Sequence, residues 1–129
     1  MDLLFSTMDL REVVAPGPVA PIPGRSRGIQ GVVIHQGEFL PVLAWEDLPG
    51  CQTPTAAPVA LAVLRPRLGV PLERLMGTID LPPEAWREVD ERDPANAWLG
   101  GVARSGNRDL HLVDPDRLIA LLRRFRGER

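Results

Sequence analysis

The chain lacks lysine and tyrosine and has one cysteine, three tryptophans and three phenylalanines among its 129 residues. The lone Cys51 excludes both a disulfide within the chain and a metal cage made only of cysteines. Six aromatic rings provide no stacking platform for single-stranded nucleic acid. No apolar run approaches the about 20 residues that a transmembrane helix needs. These absences argue against disulfide scaffolds, nucleic-acid partners and membrane insertion.

The net charge is small. Fifteen arginines and 17 acidic residues give a formal charge of −2 at pH 7, which does not suggest the concentrated basic face of a nucleic-acid-binding protein. The first ten residues contain Asp2 and Asp9 and lack the basic and apolar regions of a secretory signal. We therefore expect a cytoplasmic protein. The length predicts a single domain, residues 1–129, with a substantial core.

Prolines and glycines divide the chain into short segments. Fourteen prolines and 12 glycines leave little room for long helices, so short strands and an all-β fold are predicted. The C-terminal segment is the exception, because Asp114 is a good N-cap and Pro115 suits a first helical position. Apolar side chains then recur at helical spacing, at Leu118, Leu121, Leu122 and Phe125.

The stretch GIQGVVIHQGEFLPVLAW, residues 28–45, indicates two apolar strands joined by a tight turn. We predict a strand over 29–36 and a turn at Gly37-Glu38, because glycine at the first central position suits a type II′ turn. Pro41 would push the return strand toward a sheet edge or a bulge. His35 and Gln36 would then lie at the mouth of the turn. A second hairpin is predicted around Ser105-Gly106-Asn107.

The sequence indicates no catalytic or metal site. It lacks a nucleophile elbow, a cysteine-protease signature and a glycine-rich phosphate loop. Cys51, His35 and His111 lack the close paired spacing that positions metal ligands. We therefore expect no catalytic residue, no metal and no cofactor. A small hydrolase or ligand-binding β-barrel using these three residues stays as an alternative.

The order of the segments resembles the CheW family of chemotaxis coupling proteins and the similar regulatory domain of the histidine kinase CheA. The resemblance covers about residues 3–122. Two of its stretches are LREVV (10–14), similar to V-x-E-V, and LGVPLERLMGTIDL (68–81), similar to G-x-x-V-D-x-V-x-x-V-x-x-L. More specific are GVVIHQGEFLPV (31–42), which follows PIPG, and WLGGVARSGNRDLHLVDPDRLIALL (98–122). These last two are similar to G-V-x-N-L-R-G-x-x-x-P-V-x-D-L and Y-x-x-G-x-x-x-x-x-x-x-x-L-x-L-x-D-x-x-x-L-L.

This resemblance implies two small five-stranded β-barrels closed by a C-terminal α-helix, with no enzymatic activity. It implies a scaffold that couples methyl-accepting chemoreceptors to a CheA-type histidine kinase in bacterial chemotaxis or pilus-motility signalling. Barrel-end surfaces and the groove between the barrels would make the contacts. The alternative within the same fold is a diverged adaptor, outside the receptor array, that binds another signalling protein.

The resemblance also assigns contact residues. Glu12 matches the acid of V-x-E-V, with Leu10 as its apolar neighbour. At the hairpin, the family's asparagine, leucine and arginine are replaced by Ile34, His35 and Gln36, so a neutral amide stands where a charged guanidinium is expected. Two glycines would set the hairpin geometry. The expected partner-binding residues are Leu10, Glu12, Gly31, Ile34, His35, Gln36 and Gly37.

The front of the chain departs from the family pattern. A first strand of the form F-x-L-x-x-x-x-Y has no counterpart before the strand that ends in LREVV. We therefore expect one barrel to be a strand short and its N-terminal edge to be exposed. Because an unpaired edge can bond to a neighbouring chain, we expect this edge to support a homodimer, strand exchange or the addition of a partner's strand.

Overall fold

The structure is a computed structural model that describes residues 1–22 and 26–127. Within these ranges the chain forms nine strands and one α-helix. The strands are β1 (Asp2–Leu4), β2 (Leu10–Val14), β3 (Ile29–His35), β4 (Glu38–Leu43), β5 (Ala60–Leu64), β6 (Leu68–Leu72), β7 (Trp86–Arg87), β8 (Leu99–Ser105) and β9 (Arg108–Val113). The helix is α1 (Pro115–Phe125), and short 3₁₀ turns lie at Trp45–Asp47, Pro83–Ala85 and Pro94–Asn96.

The strands form two sheets. One has four strands in the order β1-β9-β8-β7, and the other has five in the order β2-β5-β6-β4-β3. The β1-β9 and β4-β6 pairs are parallel, and the other pairs are antiparallel. The predicted all-β fold with a C-terminal helix is confirmed. The strand that was expected to be missing before LREVV is present as β1, although its sheet has four strands and not five. Backbone pairing within the described ranges closes neither sheet into a ring.

The first hairpin turns one residue earlier than predicted. His35 pairs with Glu38, so the central residues of the turn are Gln36 and Gly37 and not Gly37 and Glu38. Both have positive φ, 51° for Gln36 and 76° for Gly37, as a type I′ turn requires. The predicted type II′ turn is therefore wrong. A glycine suits a central position of either turn, and only the strand register shows which position it occupies.

Pro41 does not place its strand at an edge. The strand β4 lies between β6 and β3, and it is joined to β6 by a single residue pair, Val42 with Gly69. A register shift in β3 between Ile29 and Gly31 lies opposite the end of β4. Pro41 has no amide hydrogen to donate. Its presence inside the sheet is tolerated because β4 forms only one residue pair with β6.

One large core cluster joins the two sheets to the helix. Trp98 and Leu118 are fully buried in it. Trp98 and Leu48 lie in connecting segments, and the other buried members come from β4, β5, β6, β8, β9 and α1. The Trp45 and Trp98 rings make an edge-to-face contact with centroids 5.7 Å apart. A smaller core cluster is formed by buried side chains of the five-stranded sheet alone: Val33, Leu40, Val42, Leu61 and Val63.

The helix forms as the sequence predicts. The Asp114 carboxylate accepts hydrogen bonds from the backbone amides of Asp116 and Arg117, at 3.0 and 3.2 Å, and Pro115 opens the first turn. These contacts satisfy amides that have no partner within the helix. The buried face consists of Pro115, Leu118, Leu121 and Leu122, and Phe125 is half-buried.

A proline-rich segment crosses the outside of β3. Ala20 and Val32 exchange two backbone hydrogen bonds of 2.8 and 2.9 Å, which fix this crossing. Gly31 is buried beneath it. The predicted loop also includes Pro23 and Gly24, which lie outside the described residues.

Replacing Gly31 with alanine is expected to lower the free energy of unfolding by about 1–3 kcal/mol. An added Cβ would stand 2.3 Å from the backbone oxygen of Ala20, so the crossing segment would have to move. Gly17 in the same segment is the matched control, because its Cβ would meet no atom within 4 Å. Urea unfolding of both variants measures the difference. Equal destabilisation would contradict the packing role of Gly31.

Candidate functional site

The end of the first hairpin carries a polar cluster that joins the two outer strands of the five-stranded sheet. Glu12 of β2 contacts the Nε2 atom of His35 in β3, and its Oε1 accepts a 3.3 Å hydrogen bond from the Gln36 amide. The Oε1 of Gln36 accepts from Arg11 at 3.2 Å. Since β2 and β3 lie at opposite edges of this sheet, the sheet curls until their side chains meet. We call Arg11, Glu12, His35 and Gln36 the hairpin site.

His35 is the buried member of the hairpin site. It is 9 % exposed, whereas the Glu12 side chain is 37 % exposed and reaches solvent. An ionised carboxylate only accepts hydrogen bonds, so Nε2 of His35 is the donor to Glu12. The other ring nitrogen, Nδ1, is buried and has no hydrogen-bond partner in the described part of the chain. His35 therefore anchors Glu12 and holds the two strands together.

Gln36 has an unusual backbone conformation. Its φ of 51° is in the left-handed region, where no other non-glycine residue of the described ranges lies. Such a conformation costs about 1–2 kcal/mol and persists when neighbouring contacts hold the residue in place. Here the contacts to Arg11 and Glu12 hold the exposed Gln36 amide. The turn thus presents a polar group in a defined orientation.

An apolar pair lies beside the hairpin site. Ile34 and Phe39 are cross-strand partners and are 67 % and 70 % exposed. Arg67 borders them, with a 3.2 Å hydrogen bond to the Phe39 carbonyl and a 3.2 Å ion pair with Glu38. Two adjacent large apolar side chains left in solvent and flanked by polar groups are typical of a protein-binding surface.

The structure brings together only part of the set expected from sequence. Glu12, His35 and Gln36 are in contact, and Ile34 and Gly37 lie beside them on the hairpin. Leu10 is half-buried against the main core cluster. Gly31 is buried beneath the proline-rich crossing and away from the turn. Of the expected set, the residues exposed at this end are therefore Ile34, Gln36, Gly37 and the outer part of Glu12.

Sequence analysis missed four residues of this surface: Arg11, Glu38, Phe39 and Arg67. Strand alternation was a usable signal for Phe39, because Leu40 beside it is fully buried and successive side chains point to opposite faces. No such signal was available for Arg67, because this residue lies in the β5-β6 turn and reaches the hairpin only in the folded chain.

The residues of the hydrolase alternative lie on separate elements. His35 ends β3 in one sheet, His111 lies in β9 of the other sheet, and Cys51 follows the first 3₁₀ turn. Burial raises the pKa of the Cys51 thiol, partly offset by the N-terminal charge, so the thiolate needed for nucleophilic attack is disfavoured. Among residues 1–22 and 26–127, no three His, Cys, Asp or Glu side chains are grouped to hold a metal ion.

Comparison with known proteins identifies the family. Residues 1–123 match the CheW-like domain family. The chain belongs to this family. The CheW-like chain is also similar in structure to the scaffolding protein TtCheW from Thermoanaerobacter tengcongensis, with a TM-score of 0.75 and 15 % sequence identity over 85 % of this chain and 75 % of that chain. A search of curated proteins found no match. The sequence-based identification is confirmed.

Family membership supports a role in chemotaxis signal transduction as a scaffold or adaptor. The structural likeness, at this low identity, shows the fold of the CheW-like chain. No helix in the described ranges is both long and apolar enough to cross a membrane.

Replacing Glu12 with alanine is expected to lower the free energy of unfolding by about 1–3 kcal/mol, because His35 would be left buried without its acceptor. Glu38→Ala is the matched control, since its carboxylate is 68 % exposed and its ion pair with Arg67 is superficial. That variant should change stability by less than about 0.5 kcal/mol. Denaturant unfolding measures the free energy of unfolding of both variants. Equal values for the Glu12 and Glu38 variants would refute an anchoring role for Glu12.

Proposed function

We propose that this CheW-like chain is a non-catalytic scaffold that couples methyl-accepting chemoreceptors to a CheA-type histidine kinase in chemotaxis or pilus-motility signalling. The observation that carries the proposal is the exposed Ile34–Phe39 pair beside a hairpin site whose polar groups are already held in place. A surface prepared in this way loses little entropy when it binds a partner.

The composition of the surface favours a protein partner. Ile34 and Phe39 provide an apolar centre, and Arg11, Gln36 and Arg67 provide hydrogen-bond donors at its rim. Protein interfaces have this arrangement of an apolar centre inside a polar rim. Because Gln36 is a neutral amide, the positive charge of this rim comes from Arg11 and Arg67.

The ionisable groups support a scaffold over an enzyme. His35 is buried and contacts Glu12, and partial burial disfavours the thiolate of Cys51, which nucleophilic attack would need. Ile34 and Phe39, by contrast, are accessible.

Isothermal titration calorimetry tests the proposal directly. The purified chain is titrated separately with the regulatory domain of the cognate CheA-type kinase and with the cytoplasmic hairpin of the cognate receptor. We expect binding to both, and we expect the chain to increase receptor-dependent kinase activity in reconstituted vesicles. Failure of both titrations at about 50 μM would overturn the proposal, because a Kd above that value gives too little free energy for stable assembly. Binding only to another signalling protein would support the diverged adaptor.

We also propose that the free edge of β1 supports self-association. Within the described residues β1 is hydrogen-bonded to β9 alone, so the amides and carbonyls along its other side are available to a second copy. Light scattering over a hundredfold concentration range should show a rising mass. Hydrogen exchange at Leu3 and Leu4 should slow at the higher concentrations. A constant monomer mass with exchange independent of concentration would contradict this proposal.

A further inference from the structure

A cavity lies at the end of the five-stranded sheet that is opposite to the first hairpin. Its volume is about 260 Å³. Its inner wall is formed by Val33, Val42 and Leu61, which are 7 %, 1 % and 4 % exposed and belong to the smaller core cluster. Glu46 and Glu73 lie at its rim, and both residues are exposed. We call this space the sheet-end cavity, and the proposed function does not use it.

Prolines form much of the mouth of the sheet-end cavity. Pro16 comes from the proline-rich segment, Pro54 and Pro58 come from the loop before β5, and Pro71 comes from β6. A proline ring fixes φ and leaves no amide hydrogen, so these positions are stiff and donate no backbone hydrogen bond. A peptide that binds as an added strand needs such main-chain bonds. The mouth therefore favours a discrete small molecule over an extended peptide.

The volume of the sheet-end cavity limits the size of its ligand. Pockets for drug-sized ligands and cofactors occupy about 300–1,000 Å³, and this one is smaller, at about 260 Å³. It suits a molecule with a single ring system.

Trp45 gives the cavity an aromatic ring in a fixed orientation. Its indole N–H donates a 2.7 Å hydrogen bond to the Pro71 carbonyl, and its ring packs edge-to-face on Trp98. Because the one polar atom of this side chain is engaged, the rest of the ring offers carbon surface and π electrons. Such a ring attracts both apolar groups and cations.

The charge at the rim is negative. Glu46 and Glu73 are the ionisable groups among the described residues that line the cavity. Neither carboxylate has a hydrogen-bond or ion-pair partner in the part of the chain that the structure describes. An apolar interior with unpaired carboxylates at its rim is complementary to a molecule that has an apolar body and a positive charge.

We infer that the sheet-end cavity binds a small organic cation, made of an apolar ring system and one ammonium group. The ring system lies against Val33, Val42 and Leu61, and the ammonium group donates hydrogen bonds to the carboxylates at the rim. An anion of the same shape is repelled by these carboxylates. The site is separate from the proposed partner surface, which lies at the other end of the same sheet.

A nuclear magnetic resonance titration of the full chain with three indole compounds of similar shape tests this inference. Tryptamine carries an ammonium group, tryptophol a neutral hydroxyl and indole-3-acetate a carboxylate. We expect tryptamine to bind with a Kd below about 1 mM, tryptophol to bind about fivefold more weakly and indole-3-acetate at least about tenfold more weakly. The amide signals of Val33 and Leu61 and the indole signal of Trp45 should shift, whereas the indole signal of Trp86, in the other sheet, should not.

Replacing both Glu46 and Glu73 with glutamine should weaken tryptamine binding about fivefold and leave the tryptophol affinity within about twofold of the original. The matched control replaces Glu84 and Glu88 with glutamine. It removes the same charge from exposed positions on either side of β7, so it should change neither affinity. Ala56→Trp places a large side chain at an exposed position of the lining and should abolish the binding of both compounds.

Several results would overturn the inference. They are an absence of saturable tryptamine binding, equal affinity for the three compounds, equal losses in the two double variants, or unchanged binding in the Ala56 variant. Binding of the peptide Lys-Trp-Lys without binding of tryptamine would also overturn it, because the cavity would then belong to a basic segment of a partner protein.

Discussion

Replacing Trp98 with alanine is expected to lower the free energy of unfolding by about 3–5 kcal/mol, the largest effect on stability that we expect at any single position. Trp98 is fully buried in the cluster that joins both sheets to α1, and its ring contacts Trp45. Truncation would open a cavity where the two sheets and α1 meet. Because small domains have a total stability of about 5–15 kcal/mol, a substantial fraction of the variant would be unfolded under mild denaturation.

Two further variants separate cavity formation from polar effects. The indole N–H of Trp98 is buried and has no hydrogen-bond partner in the described ranges, so Trp98→Phe removes an unpaired donor while it keeps most of the ring. We expect Trp98→Phe to cost much less than Trp98→Ala. Trp86→Ala, at the half-buried edge strand β7, should also cost less. Chemical denaturation followed by circular dichroism measures all three, and a loss at Trp98 no greater than that at Trp86 would contradict the central role of this side chain.

Replacing both Ile34 and Phe39 with aspartate is expected to weaken binding to the CheA-type regulatory domain or to the receptor hairpin at least about tenfold, which corresponds to about 1.4 kcal/mol. The two side chains are more than two-thirds exposed and contribute little to the core. Their loss should therefore leave the free energy of unfolding within about 1 kcal/mol of the original. Calorimetric titration together with urea unfolding measures both quantities.

Val59→Asp is the matched control for this surface. Val59 is 59 % exposed and precedes β5, at the end of the five-stranded sheet opposite to the β5-β6 turn from which Arg67 reaches the hairpin. It should not change either affinity. Unchanged binding of the double variant to both partners would remove Ile34 and Phe39 from the proposed contact, while an equal loss in the Val59 variant would indicate a general effect of added charge.

The Glu12–His35 contact connects stability to this surface. It joins β2 to β3, which the backbone ladder leaves at opposite edges. It also positions the carboxylate that holds the Gln36 amide. A Glu12 variant is thus expected to affect stability and the orientation of the turn together, whereas the Ile34 and Phe39 variants are expected to affect binding alone.

The features that sequence analysis predicted correctly depend on near neighbours in the chain. Asp114, Pro115 and the apolar spacing that follows lie within three turns of one helix, and each signal acts locally. The second hairpin likewise turns at Gly106-Asn107, inside the predicted group of turn-forming residues. For the first hairpin the two strands were predicted correctly, but the predicted turn lay one residue too late in the chain. The reason is that Gly37 suits a central position in both type I′ and type II′ turns.

The features that it missed depend on distant pairing. The parallel contact of β1 with β9 joins residues more than 100 positions apart, and it brings Asp2 to Arg108. In the linear sequence Arg87 lies 22 residues before Asp109. Arg87 and Arg104 contact this carboxylate together only because β7, β8 and β9 lie side by side.

The sequence by itself determined the class of fold, the C-terminal helix, the two hairpins and the family, because these follow from local backbone preferences and from the order of short motifs. Tertiary structure alone decided which residues share a surface. The curl of the five-stranded sheet brings Glu12 to His35, and burial removes Leu10 and Gly31 from the exposed set. The physical reason is that side-chain contacts between strands far apart in the chain depend on register and sheet curvature, and these are set by the packing of the whole core.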